Sequence, residues 1–528
     1  MLSAGFPWLT TLIVVPLVGA AAVWSLPSSA RRWVRHVALG FALLELLLAV
    51  GLAATFDTAA AATHQFSEVH SWIPALGVSY AVGVDGVGLL LVLLSVVLTP
   101  LVLLAAWREQ GTDFEKLRHY VALILVVETF MVAVFAARDV FFFYLLFEAM
   151  LIPVYFLIGA FGGLQRRYAA VKFLIFSLVG GLVMLVAVIV LYQHGPGGAD
   201  GFLTARLTGI ELPVTTERLL FVAFFFAFAI KAPMWPVHTW LPDVAETAPA
   251  GTSTLLVGVL DKVGTFGMLT LCLPLFPAAS RWAAPVVIVL ALISILYGAL
   301  LAIGQQDLMR MIAYTSVSHF GFIVLGIFAF TSVSVQGSSF YMVNHGLSTG
   351  ALFLLAGFLV QRRGSQRIAD FGGLQKVVPV LAGTFLVAGL SALSLPGLST
   401  FVSEFLVLIG TFARSQPAAI VAVFGVVLAA IYILLTYQRI FTGPVQDELA
   451  DTRDLSAREL WVVGPLIALL LVFGFYPAPA LDLVREPASV TLELVGVDDV
   501  PAAAAAGIDQ SAGRGVGADL GAVEGSTK

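Results

Sequence analysis

The chain has 528 residues, 60% of them hydrophobic and only 11% charged, with a formal net charge of −5. Soluble domains carry about 25% charged residues, so no soluble core accounts for this much apolar surface, and without a basic block interleaved with aromatics nucleic acid is excluded as a partner. The single cysteine, Cys272, rules out a disulfide framework and a cysteine-ligated zinc or iron–sulfur site within the chain.

The first apolar run, Pro7 to Leu26, has no positive residue ahead of it and Arg31, Arg32 and Arg35 behind it. This is the reverse of a secretory signal peptide, so the run is expected to remain as a first transmembrane helix. Apolar runs then recur, each long enough to cross a ~30 Å hydrocarbon core, to a total of about 14. They fall near 7–26, 34–54, 86–106, 120–137, 140–161, 168–192, 218–241, 253–274, 283–304, 307–330, 338–359, 377–410, 418–440 and 460–476. The fold class expected is therefore an all-α polytopic membrane protein. The tail from Pro477 starts amphipathic, then turns small, Gly/Ala-rich and acidic from Val500 to Lys528, a composition that favours disorder.

Lysine and arginine set the orientation. One set of loops collects Arg31, Arg32, Arg35, Arg108, Lys116, Arg118, Arg166, Arg167, Arg310, Arg362, Arg363, Arg367, Lys376, Arg439, Arg453 and Arg458. The other set holds only Arg138, Arg206, Arg218, Arg281 and Arg414. The first set is expected in the cytoplasm, which places both termini outside. The segment 55–85, without lysine or arginine but with Asp57, His64, Glu68 and His70, suits the outer surface.

Two spans are interrupted. The seventh reads IKAPMWPVHTWLPD around Lys231, and the twelfth reads LSALSLPGLSTFVSEF around Pro396 and Gly397. Proline inside a helix removes a backbone hydrogen bond and costs about 3 kcal/mol, and in lipid the freed carbonyls need protein or water partners. The breaks are an odd number of spans apart, so units built around them insert in opposite orientations, as in inverted-repeat transporters. The expected organisation is helices 1–3 (1–119), a first five-helix repeat (120–274), a second, inverted repeat (275–440), a last helix (441–476) and the tail (477–528).

The apolar spans contain Glu128, Glu148, Lys231, Asp261, Lys262, His319, His345 and Glu404. A charge at the bilayer centre costs about 2.5–3.5 kcal/mol on insertion scales, so such residues face protein or water. Glu128 and Glu148 each lie about ten residues, or roughly 15 Å of helix, from the polar turn at Arg138–Asp139, near the midplane. Lys231 directly precedes its break and Lys262 sits mid-span. A buried lysine holds its proton weakly until a carboxylate approaches, so moving an acid by a few ångströms loads or ejects a proton. Glu148 and Lys231 are expected to face one another and form an ion pair whose opening and closing tunes the lysine's proton affinity. His319 and His345 add groups that titrate near neutral pH. For any one of these residues the alternative is an interhelical hydrogen bond. For Glu148, Lys231 and Lys262 together, proton transfer is the better reading. Glu45 and Lys172 read as mainly structural, with cytoplasmic proton uptake the alternative for Lys172. GPGGADG at 195–201 follows a membrane helix rather than a strand and reads as a loop.

FFFYLLFEAMLIPVYFLIG around Glu148, AIKAPMWPVHTWLPDVAETAPAGTSTLLVGVLDKVGTFG through Lys231 and Lys262, IAYTSVSHFGFIVLGI around His319, NHGLSTGALFLLAG around His345 and LPGLSTFVSEFLVLIGTF around Glu404 resemble the antiporter-like subunits of respiratory complex I, over roughly residues 85–445. A glutamate in the second broken helix, where two relatives usually have lysine, and the lack of a long lateral helix extension single out one of the three related subunits. The resemblance implies a proton-pumping module in the membrane arm of a bacterial plasma-membrane NADH:quinone oxidoreductase. It implies Glu148 and Lys231 as the switch, Lys262 as central relay, His319 and His345 beyond it, Glu404 as terminal group and Glu128 as a further midplane acid. It implies no cofactor in this chain, with NADH, FMN, iron–sulfur clusters and quinone in partner subunits, and two related antiporter-like subunits among those partners. A subunit of a multisubunit Na⁺/H⁺ antiporter or a membrane-bound hydrogenase is the nearest alternative. A stand-alone solute transporter would need a polar substrate pocket instead of an axial row of charges.

Overall fold

In hydrocarbon every backbone N–H and C=O must find a partner inside the protein, which leaves the helix as the spanning form for runs of this length. The computed structural model describes residues 5–108 and 113–500, so the expectation of disorder for 500–528 falls almost wholly outside the described residues. The spanning helices are α1 (Trp8–Ser25), α2 (Val34–Thr55), α3 (Gly86–Ala105), α4 (Phe114–Ala136), α5 (Val140–Phe161) and α6 (Arg166–His194). The seventh span is split into α7 (Val214–Lys231) and α8 (Trp240–Thr247). There follow α9 (Ala250–Leu275), α10 (Pro277–Gly304), α11 (Leu308–Phe328) and α12 (Ser332–Arg363). The twelfth span is split into α13 (Pro379–Ala392) and α14 (Ser399–Arg414), and α15 (Gln416–Phe441) and α16 (Ala457–Phe475) complete the bundle. Among the described residues, 12 helices are long and apolar enough to cross a membrane without a break of several residues. With the two interrupted ones they make the fourteen crossings read from the sequence.

Both breaks lie where proline and glycine place them. Residues 232–239 leave helical geometry between Lys231 and Trp240, and 393–398 do so between Ala392 and Ser399. Helix α5 is also disturbed after Ala149. Pro153, four residues on, has no N–H to give the Ala149 carbonyl.

Helices α9, α11 and α12 are almost entirely enclosed by protein, whereas α1, α2, α6, α10, α15 and α16 turn leucine, valine and phenylalanine outward. The buried charges are thus concentrated around the enclosed helices, and the outer ring presents apolar surface to lipid and partners.

The segment 55–85 is more ordered than its composition suggests. It forms an antiparallel hairpin of β1 (Gln65–Ile73) and β2 (Val78–Val84), with Glu68 opposite Val82 and His70 opposite Tyr80. The Glu68 carboxylate accepts the N–H groups of Leu9 and Thr10 at 3.1 and 3.2 Å, capping the positive end of α1. At the same surface lies α17 (Ala478–Val495), whose Ala480, Val484, Ala488, Leu492 and Val495 form one buried stripe packed on α3, α10 and α12. This is the amphipathic stretch expected after Pro477. Arg281 fastens its end by donating to the carbonyls of Val495 and Gly496.

Candidate functional site

The break after Lys231 is closed by its own sequence. Trp240 donates its indole N–H to the Ile230 carbonyl at 3.0 Å, and Met234 N–H reaches the Ala229 carbonyl at 3.0 Å. Lys231 is left at the end of α7, wholly buried, with no hydrogen-bond partner for Nζ. The ammonium sits 4.9 Å from the Phe147 ring centroid and 5.7 Å from that of Phe173, where ring quadrupoles attract a cation.

Glu148 follows Phe147 at the disturbed turn of α5. Its carboxylate lies against Gly181 of α6, where a side chain would collide with it, and neighbouring Gly180 admits Ile230 and Ala227 of α7, 2.9 and 3.1 Å from where a side chain's first carbon would stand. Two adjacent glycines therefore hold the acid and the end of the lysine's helix together. Glu148 and Lys231 act on one another electrostatically, but the direct contact expected from the sequence is not made. One Glu148 oxygen and Lys231 Nζ both lack a hydrogen-bond partner, and the ring of Phe147 occupies the position beside the ammonium.

Lys262 lies in α9 just beyond a widened turn over Leu256–Leu260. Widened turns leave carbonyls without the regular helical partner. Lys262 Nζ donates to the Val257 carbonyl at 2.5 Å and shares a hydrogen bond with His345 Nδ1 of α12 at 2.7 Å. The His345 and His319 rings meet edge to face with centroids 5.2 Å apart. His319 Nε2 of α11 is 3.3 Å from the Tyr432 hydroxyl of α15. Beyond it, Tyr341 of α12 and Ser394 in the second break donate to Glu404 of α14 at 2.6 and 2.7 Å. Lys262, His345, His319 and Glu404 thus stand in one buried row, joined by tyrosines the sequence reading did not single out. Tyr341 was legible, lying four residues before His345 on the same helix face.

Glu128 does not join this row. It faces Glu45 of α2 and Thr99 of α3, both acids being wholly buried and none of their four oxygens in a well-formed hydrogen bond. Glu45, read from the sequence as mainly structural, thus lies buried beside Glu128. Its signal was its place at the centre of an otherwise small, buried stripe on α2, Ala38–Ala42–Glu45–Ala49.

On the other side of Lys231, His238 in the break is buried with both ring nitrogens free and stacks edge to face on Tyr297 at 5.3 Å. Beyond it Asp243 receives Lys172 at 2.6 Å and Arg310 at 2.7 Å, and Arg310 also holds Glu246 at 2.8 Å. Lys172 is thus paired at the mouth of the broken helix. Among the described residues no group of three or more His, Cys, Asp and Glu could hold a metal ion. Cys272 is buried in α9.

Residues 137–429 match the family described as NADH:quinone oxidoreductase/Mrp antiporter, TM. The NADH-quinone oxidoreductase subunit M of Mycobacterium tuberculosis is 48% identical, over 93% of this chain and 95% of its own. A chain of respiratory complex I from Thermus thermophilus superposes with a TM-score of 0.85 at 32% identity, covering 93% of this chain and all of that one. A chain of the Mrp complex from Dietzia sp. DQ12-45-1b shares the fold at a TM-score of 0.81 and 22% identity, over 92% of this chain and 98% of its own. The motifs, the two broken helices and these likenesses agree: the chain belongs to the NADH:quinone oxidoreductase/Mrp antiporter family of membrane subunits and, within it, to the subunit M group.

Proposed function

We propose that the chain is a proton-translocating subunit in the membrane arm of an NADH:quinone oxidoreductase. It couples electron transfer from NADH to quinone, performed by partner subunits that carry the nucleotide, flavin, clusters and quinone, to proton movement through Glu148, Lys231, Lys262, His345, His319 and Glu404. The observation that carries the reading is the buried row itself. A static membrane bundle gains nothing from burying so many titratable groups in one row, with Lys231 Nζ lacking any hydrogen-bond partner, because each bears several kcal/mol of desolvation. A relay requires such groups, since a proton held too firmly does not move on.

In this reading protons arrive past Lys172, Asp243 and His238. Closing the Glu148–Lys231 gap loads the lysine, and opening it releases the proton towards Lys262 and the histidines. Lys262 already shares a hydrogen bond with His345, so that transfer requires no large motion. Glu404 is the last group and Glu128 a lateral acid beside the row. The two breaks belong to two inverted five-helix units, both termini face outward, and two related subunits flank the chain in the membrane.

The deciding test is proton pumping in membrane vesicles containing the intact complex. Lys231→Ala and Lys262→Ala are each expected to assemble, judged by native gel, and to lose most NADH-driven pumping; wild-type pumping by both would remove the relay. Identity at 48% with a subunit M favours this reading over a multisubunit Na⁺/H⁺ antiporter, and NADH oxidation by the purified assembly separates the two. A reporter between residues 57 and 70 should report the outside and one near Arg363 the cytoplasm.

A further inference from the structure

Between the two lysines stands an acid to which no role has been given. Gly264 and Gly267 form the face of α9 turned to α7. A side chain at Gly264 would strike the Phe228 carbonyl and Ala232 N–H, and one at Gly267 would strike the Phe228 ring. Asp261 lies three residues before Gly264, on the same helix face one turn earlier, so its carboxyl group is directed towards the end of α7, where Lys231 is. Lys262, one residue on and about 100° round the helix, points instead to α12 and His345. Adjacent residues on one helix thus address the two lysine sites.

Asp261 is wholly buried and neither carboxylate oxygen has a hydrogen-bond partner. The charged groups that interact with it are Lys262 of its own helix and Lys231 of α7. A carboxylate kept for architecture is capped or networked; this one is neither. It completes an alternation of acid and base, Glu148, Lys231, Asp261 and Lys262, that leads on to His345.

We propose that Asp261 is the proton carrier between Lys231 and Lys262. This rests on the relay reading above and deepens it. Protonated Lys231 gives one proton to an Asp261 oxygen, an N–H bond breaking as an O–H bond forms, which leaves a neutral amine and a neutral carboxyl. Once Lys262 has passed its own proton to His345 Nδ1, the carboxyl gives its proton to the neutral Lys262 amine and the carboxylate is restored. One proton has moved and no other reactant is consumed.

The test uses the intact complex in membrane vesicles, with assembly followed by native gel. A positioned proton-transfer group contributes about 10²–10⁴-fold, and water beside the amide recovers part of this, so Asp261→Asn is expected to lower pumping at least about tenfold. Asp261→Glu is expected to keep much of the activity with a displaced pH profile, because a different carboxyl then carries the proton. Wild-type pumping by assembled Asp261→Asn, beside inactive Lys231→Ala and Lys262→Ala, overturns the role of Asp261 and leaves the relay standing. Wild-type pumping by both lysine variants overturns the relay and this step with it. If Asp261→Asn does not assemble, the Asp261→Glu profile decides, and an unchanged profile overturns the proposal.

Discussion

The two broken helices are alike in sequence logic and opposite in electrostatics. At the first break, Lys231 Nζ and one oxygen of Glu148, an acid that acts on it electrostatically, have no hydrogen-bond partner. At the second, Glu404 receives two hydroxyl donors, Tyr341 and Ser394, at 2.6 and 2.7 Å. A charge with fixed donors has a settled proton affinity, whereas one dependent on a distant partner changes affinity when that partner moves. In the proposed relay this difference suits the first break to switching and the second to a steady terminal position.

The largest effect expected from breaking this comparison is at the switch. Glu148→Ala and Lys231→Ala should each abolish most pumping, since stranding one member of a buried charge pair costs up to about 3–5 kcal/mol. Glu148→Asp should retain substantial activity, and the double variant should be little worse than either single one because the two act as a unit. Pumping measured in vesicles against assembly on native gels checks all four; an additive double variant would show that the residues act separately.

At the second break the loss should be smaller. Glu404→Ala is expected to reduce pumping while the complex still assembles, and Glu404→Lys to retain part of it. Tyr341→Phe, which removes one charge-assisted hydrogen bond worth about 1.5–3 kcal/mol, should change pumping less than Glu404→Ala. The reverse order would place the functional group on the tyrosine.

Smaller still is the contribution of the break's own cap. Trp240→Phe leaves the buried Ile230 carbonyl without its donor, a cost of about 1–3 kcal/mol, read as a lower thermal inactivation temperature of the detergent-purified complex. An unchanged temperature would mean that the indole bond does not hold the break.

The smallest expected effect is outside the membrane, where the hairpin faces α17. His64 is pushed down to about 4 from 6.5, by burial first and by Arg138 second, against the opposing influence of Asp85. Burial likewise brings Arg138 down to about 10, with Asp85 opposing. A histidine with a lowered folded pKa stabilises the fold above its unfolded value and loses that contribution as pH falls from 6.5 towards 4. Local protection of residues 65–84 against hydrogen exchange should therefore decline across that window, and only slightly, because His64 is exposed at the surface and solvent screens its interactions. In His64→Gln the decline should be absent, and its persistence would assign the pH sensitivity to another group.

Most of the architecture was legible because the bilayer imposes one demand at every span. Length and apolarity located the helices, and prolines located both breaks. The partners of those breaks were not legible, because Trp240 and Tyr341 are ordinary membrane aromatics until a carbonyl or a carboxylate is seen beside them. The hairpin at 65–84 was hidden for a different reason. Its first strand is polar and exposed and its second buried, so neither shows an alternation that stands out from a loop.

For the site, residue order is enough to say which residues bear charge in the membrane and roughly how deep they lie, since helical rise converts residue number into depth. Which of them meet depends on how the helices pack. The angle at which each side chain leaves its helix depends on the widened turn before Asp261, on the glycines that draw α5, α6 and α7 together, and on which helices are neighbours. Those contacts set Lys262 against His345, left Lys231 short of Glu148, turned Glu128 towards Glu45 and placed Asp261 between two lysines, because proton transfer is governed by separations of a few ångströms that linear spacing does not encode.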